Sequence, residues 1–231
     1  MAVVLALLAS PLLGPAAWRP VAAHLCRAGW TVVAPAVPHA APRGPEDVLR
    51  SLLDELPDDR DLVLIPHSNA GLYLPALTKV RRVVACVFVD AGLPARSGRV
   101  SLAPPALLDV LAEKADDGDL LPPWTKWWDE AEVATLFPDA DARDRVEREQ
   151  PRLPLSYFRQ SLPVPDGWDA IPATYLAFGD TYRAERQDAA ARGWPVRVLP
   201  GGHLHMLVDP PGVAAAIREL LVAVGIAARG E

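Results

Sequence analysis

The sequence predicts an α/β protein: a mostly parallel, doubly wound sheet carrying a small inserted helical segment. Three observations predict it. Apolar runs of strand length recur at Val3 to Leu8, Trp30 to Ala34, Leu62 to Ile65, Val83 to Val89 and Ala173 to Phe178, and continuous runs of this kind suit strands buried on both faces. Helix-length stretches separate them, and a strand joined to the next through a helix calls for a parallel neighbour. From about Ala95 to Asp169 the alternation stops, which marks an insertion: residues 1–94 and 170–231 form the core and 95–169 the inserted segment.

In chain order, Val3 to Leu8 is the first strand, and Ser10-Pro11-Leu12-Leu13-Gly14-Pro15 connects it to a helix from about Trp18 to Ala28. Trp30 to Ala34 is the second strand and ends at Pro35. A Pro- and Ala-rich loop over 35–47 follows, with His39 and Arg43, His39 reading as a residue at the rim of a pocket. A helix from about Pro45 to Glu55 leads to Leu62 to Ile65, which breaks into Pro66-His67-Ser68-Asn69-Ala70-Gly71 before a leucine-rich helix that Pro75 kinks or divides. Val83 to Val89 is the next strand, closing in Asp90-Ala91-Gly92. Order resumes with the strand Ala173 to Phe178, the loop Gly179-Asp180-Thr181-Tyr182, a helix from about Arg183 to Ala191 and a strand from about Pro195 to Leu199. Gly201-Gly202-His203 comes next, and Asp209-Pro210 starts a closing helix over Pro211 to Ala223.

Composition narrows the function. The chain has 231 residues, 51% of them hydrophobic, enough for one sizeable core. A net charge of −6 without a basic cluster disfavours nucleic acid as a partner. The apolar N-terminus lacks a positively charged start and runs into the first strand, so it does not read as a secretion signal; with no apolar run of about 18 residues, no membrane span is expected and a cytoplasmic protein is the expectation. Cys26 and Cys86 read as two buried free thiols without metal-ligand spacing. No cluster asks for a metal, and nothing asks for a cofactor.

The chemistry-bearing stretch is Asp61 to Leu77. Strand, tight turn and helix with Ser68 at the apex require a strained backbone at the serine and small residues two positions to either side, a need that Ala70 meets well and Pro66 in part. A serine at such a place can also be a plain N-cap. As a nucleophile it would need a base, and the base an acid to hold its tautomer. His203 and Asp180 each follow a strand and could supply them, beyond the carboxyl ends where open α/β folds bind ligands. His205 competes for the base and Asp90 for the acid; His67 points away from a pocket if the turn forms.

Pro66-His67-Ser68-Asn69-Ala70-Gly71 resembles the nucleophile elbow of the α/β-hydrolase family in a variant that satisfies neither glycine of G-x-S-x-G. The order Ser68, Asp180, His203 is the family's order of nucleophile, acid and base, and Gly202-His203 followed by Asp209-Pro210 matches its histidine loop. Gly179-Asp180 fits the usual acid loop, so the resemblance favours Asp180 over Asp90, although some members place the acid where Asp90 lies. The resemblance further implies an oxyanion hole from the backbone N–H groups of Leu12 and Asn69, with Ser10 adding a hydroxyl, and a trimmed set of N-terminal strands. It implies that 95–169 is a cap whose Trp124, Trp127 and Trp128 line the substrate pocket or pack the cap onto the core.

The expected activity is hydrolysis of an ester or thioester of a small apolar or aromatic molecule. Family members also run lyase and cyclase chemistry with the same three residues, which is one alternative; a non-catalytic receptor for a small ligand is another.

Overall fold

The computed structural model describes residues 3–36 and 42–227; His39 lies outside them. The main sheet has six strands: β1 (Val4–Leu8), β2 (Thr31–Val33), β3 (Leu62–Ser68), β4 (Val83–Ala91), β7 (Ala173–Phe178) and β8 (Val196–Leu199), in the order β2-β1-β3-β4-β7-β8. Every pairing in it is parallel. Two further strands among the described residues, β5 (Gly98–Ser101) and β6 (Ser161–Val164), form a separate antiparallel ribbon.

The order explains where a site can form. The chain leaves β1 towards β2 and returns to place β3 on the other side of β1, so the winding reverses between β1 and β3. At such a switch point the loops after the two strands diverge and leave a crevice at their carboxyl ends. Leu12 lies in the loop after β1, and Ser68 ends β3 where the next loop begins. All seven residues of β3 are buried. The helices Arg19–Arg27 and Pro210–Ala223 pack against each other, and so do Pro45–Glu55 and Leu74–Val80. The expected start at Asp209-Pro210 is a capped terminus, with the Asp209 carboxylate accepting from Gly212 N at 3.0 Å.

Several elements differ from expectation for identifiable reasons. The elbow strand continues through Pro66 to Ser68. Pro66 pairs in register with Leu8, the last residue of β1, so its missing N–H falls where the neighbouring strand ends. After Ser68 the chain makes a 3₁₀ turn over Asn69–Tyr73 before the α-helix Leu74–Val80, whose first turn holds Pro75; the proline divides the segment as expected. Cys86 is buried, its thiol pushed up to about 12 by burial, but Cys26 is exposed on its helix and corrects the reading of two buried thiols.

Residues between β4 and β7 form no part of the main sheet. The β5–β6 ribbon clamps the two ends of this segment together, which holds short helices at Pro105–Ala112, Glu130–Ala134, Ala140–Glu147 and Leu155–Phe158. Among the described residues, no helix is long and apolar enough to cross a membrane.

Candidate active site

Ser68 sits at φ 57° and ψ −131°, a backbone conformation that a side chain ordinarily avoids, and it is 7% exposed. The sharp turn brings the following residues against the end of β4. There the need for a small residue falls on Gly71 rather than Ala70 alone: a Cβ on Gly71 would lie 2.1 Å from the carbonyl oxygen of Gly92. Gly92 N–H in turn donates to Ser68 O at 3.0 Å, so the turn is tied to β4 at the serine itself.

Across the site, His203 Nδ1 meets Asp90 Oδ2 at 2.6 Å. Asp90 is fully buried at the end of β4 with φ 41°, and its other oxygen accepts the N–H of Phe178 at 3.0 Å. Tyr175 holds the adjoining backbone, donating to Ala91 O at 2.7 Å and accepting from Ala91 N at 3.0 Å. This corrects the expected pairing. Asp180 does not reach His203: its side chain is 61% exposed and pairs with Arg183 at 2.5 Å. Asp90, the competitor, occupies the position beside the imidazole because β4 lies next to β3 in the sheet and its strained last residues turn the carboxylate inward.

The His203 ring is enclosed by other rings. His67 lies tilted against it at 4.5 Å between centroids, Tyr182 stands at 5.6 Å and Trp124 at 6.1 Å. His67 Nε2 lies 2.9 Å from the carbonyl oxygen of His203, and a carbonyl can only accept, so His67 is the Nε2–H tautomer. Burial, reinforced by the charge His203 can carry, holds His67 well below its ordinary 6.5. It therefore lies beneath the site as a neutral support. His205 packs edge-on against Phe178 instead.

A cavity of about 580 Å³ opens over Ser68 and His203. Leu12, Asn69, Trp124, Trp127 and Trp128 all line it; Ser10 does not. The hydroxyl of Ser10 turns back onto Leu12 N–H at 3.4 Å, a long contact for that donor, and the residue is buried. The side chain of Asn69 is tied to the inserted segment, donating to Leu102 O at 2.9 Å and accepting from Tyr157. Trp124 and Trp127 are 8% and 4% exposed, and Trp128 is 42% exposed, so the three serve packing and lining together. Among the described residues, no group of three or more His, Cys, Asp or Glu is arranged to hold a metal ion.

No family model matches this chain, and no curated protein matches it. Solved structures do. An extracellular α/β-hydrolase from a Paenibacillus species is 18% identical with a TM-score of 0.71, over 97% of this chain and 99% of that one. A pyrethroid hydrolase is 20% identical with a TM-score of 0.72, over 96% and 99%. Tomato methylketone synthase I, in complex with β-ketoheptanoate, is 11% identical with a TM-score of 0.70, over 97% and 99%. The chain has the α/β-hydrolase fold.

Within that fold one residue at the centre of the site escaped the sequence reading. Tyr182, in the loop after β7, places its phenol oxygen 3.2 Å from Ser68 Oγ. Burial pushes this phenol up to about 12, so it keeps its proton at neutral pH. The available signal was position: it ends the same strand-end loop from which Asp180 was chosen, and any polar group there is a candidate.

Proposed function

We propose that the protein is a serine hydrolase acting on an ester or thioester of a small apolar or aromatic molecule. The observation that carries this reading is the Asp90–His203 pair facing the same cavity as a strained, buried Ser68. Ser68 Oγ attacks the acyl carbonyl and His203 Nε2 takes its proton. Asp90 holds the Nδ1–H of His203, fixing the tautomer that leaves Nε2 free, and stabilises the imidazolium that forms. The developing oxyanion is held by the N–H groups of Asn69 and Leu12. Leu12 is freed for this because its contact with Ser10 Oγ is long and neutral, and a full negative charge competes with it readily.

Residues 95–169 act as the cap over the pocket, and the acyl group seats against Trp124, Trp127 and Phe158. Support for an apolar acyl group comes from this aromatic wall. The hydrolases among the similar folds are compatible with the reading.

A second reading keeps the site and omits the acyl-enzyme. The contact of Ser68 Oγ with Tyr182 favours it, because a serine and a phenol together could steer a proton without forming an ester. The methylketone synthase among the similar folds adds support.

Incubation with a fluorophosphonate probe followed by intact-mass measurement separates the two. A single adduct, absent from Ser68→Ala and strongly reduced in His203→Ala, is the expected result. No adduct on folded protein overturns the hydrolase reading and leaves proton-transfer chemistry.

A further inference from the structure

The phenol of Tyr182 contacts the oxygen proposed as the nucleophile, and it does so from a defined side. Leu12 follows β1 and Ser68 ends β3, whereas Tyr182 follows β7, on the opposite flank of β3 from Leu12. The phenol therefore approaches from the side opposite the Leu12 N–H proposed for the oxyanion. Its ring leans on His203 at 5.6 Å between centroids, and its oxygen lies 3.2 Å from Ser68 Oγ. Protonated at neutral pH, it can donate to that oxygen while the Ser68 O–H remains free for His203.

Resting on the hydrolase reading, we propose that Tyr182 is a further catalytic residue that acts in the second half of the reaction, donating a hydrogen bond to Ser68 Oγ as that oxygen leaves the acyl-enzyme. In this step water attacks the acyl carbon and gives a proton to His203 Nε2. The C–Oγ bond then breaks, its electron pair goes to Oγ, and His203 returns the proton to Oγ. Tyr182 transfers no proton. Its hydrogen bond is weakest to the ester oxygen of the acyl-enzyme and strongest to the departing, partly anionic Oγ, and a bond that strengthens on the way to the transition state lowers the barrier. In the first half Oγ also becomes partly anionic as it attacks, but there the bond is already made to the resting hydroxyl, a better acceptor than the ester oxygen, so Tyr182 accelerates acylation less than deacylation.

The test is Tyr182→Phe, which keeps the ring on His203 and removes only the hydroxyl. With a p-nitrophenyl ester of a short acyl chain, steady-state kcat falls on the order of 10- to 100-fold, the range spanned by a hydrogen bond to a charged oxygen. A stoichiometric burst of nitrophenol precedes the slow phase, the acyl-enzyme is visible by intact mass, and fluorophosphonate labelling slows by clearly less than turnover does. Replacing Tyr182 by 3-fluorotyrosine, a stronger donor of nearly the same shape, raises the deacylation rate and keeps the proposal testable should the phenylalanine variant not fold. Equal loss of labelling and turnover in Tyr182→Phe, or unchanged turnover without a burst, overturns the role of Tyr182 while leaving the hydrolase reading intact. A wild-type protein that is never acylated overturns the hydrolase reading, and with it this one.

Discussion

Asp90 and His203 lie 113 positions apart in the chain and join at 2.6 Å, each at the carboxyl end of its strand or just beyond it. The pair is polarised by a third partner: the second oxygen of Asp90 already accepts the N–H of Phe178. An acceptor at that oxygen is required whatever residue stands at position 90.

This makes Asp90→Asn informative. The carbonyl of the new amide must face Phe178 N–H, which turns its NH₂ towards His203 Nδ1 and forces the imidazole into the tautomer that cannot take a proton from Ser68. A loss of roughly 10,000-fold in kcat is expected, as for other triads given an amide in place of the acid. Asp180→Asn weakens ion pairs with Arg183 and Arg186 at the surface and changes kcat by less than about twofold. Steady-state hydrolysis of an activated ester by both variants measures this, and a larger loss in Asp180→Asn would return the role of acid to that residue.

Ser68 and His203 were legible because each carries a local signature, a strand-to-helix turn of small residues and a glycine-rich loop after a strand. The choice between Asp90 and Asp180 was not. Both follow an apolar strand, and what separates them is the position of β4 beside β3 together with a backbone at φ 41° that only the assembled sheet imposes. Tyr182 was missed for the same reason, since a contact between loops of two different strands leaves no spacing to read. The β5–β6 ribbon escaped because Gly98 and Pro163 lower the strand propensity of segments already only four residues long.

His67 predicts a pH dependence of stability. The unfolded histidine takes up a proton near 6.5, whereas the buried one, with no partner at Nδ1, resists protonation to well below that value. Below 6.5 the unfolded state thus holds more protons than the folded state, and stability falls as pH falls. The slope reaches at most about 1.4 kcal/mol per pH unit for this one group. Glutamine at 67 keeps a donor for His203 O but cannot ionise, so His67→Gln should lose less stability than wild type between about pH 7 and pH 5. Urea unfolding across that range measures it; parallel curves would mean that His67 titrates normally in the fold.

Gly71 predicts a coupled loss of stability and reactivity. Alanine there places a Cβ 2.1 Å from the backbone oxygen of Gly92, which no side-chain rotation relieves, so one of the two segments must move. Gly92 is hydrogen-bonded to Ser68 O, which carries the displacement to the serine. A cost of about 1–3 kcal/mol is expected, as for other overpacked sites, together with slower fluorophosphonate labelling of the folded fraction. Thermal unfolding and labelling rate are measured together. A lower melting temperature with unchanged labelling would show that the contact supports the fold without shaping the elbow.

The cavity lining predicts which charges it admits. Glu132 and Glu185 face it, and among the described residues no Lys or Arg lines it. Glu185 is raised above its ordinary value by burial, with Asp90 adding to the shift, so an anion entering near it meets both a carboxylate and a site already unfavourable for negative charge. Against a pair of esters matched in size, the neutral one should be cleaved roughly tenfold more efficiently than the one with a carboxylate on its acyl chain at low salt, a gap that narrows as salt screens the exposed Glu132. The comparison of kcat/KM at two ionic strengths, repeated with Glu132→Gln and Glu185→Gln combined, decides it. Equal rates for the two esters in the wild type would mean that the acyl group binds away from both carboxylates, towards Trp127 and Phe158, and that charge plays no part in selecting the substrate.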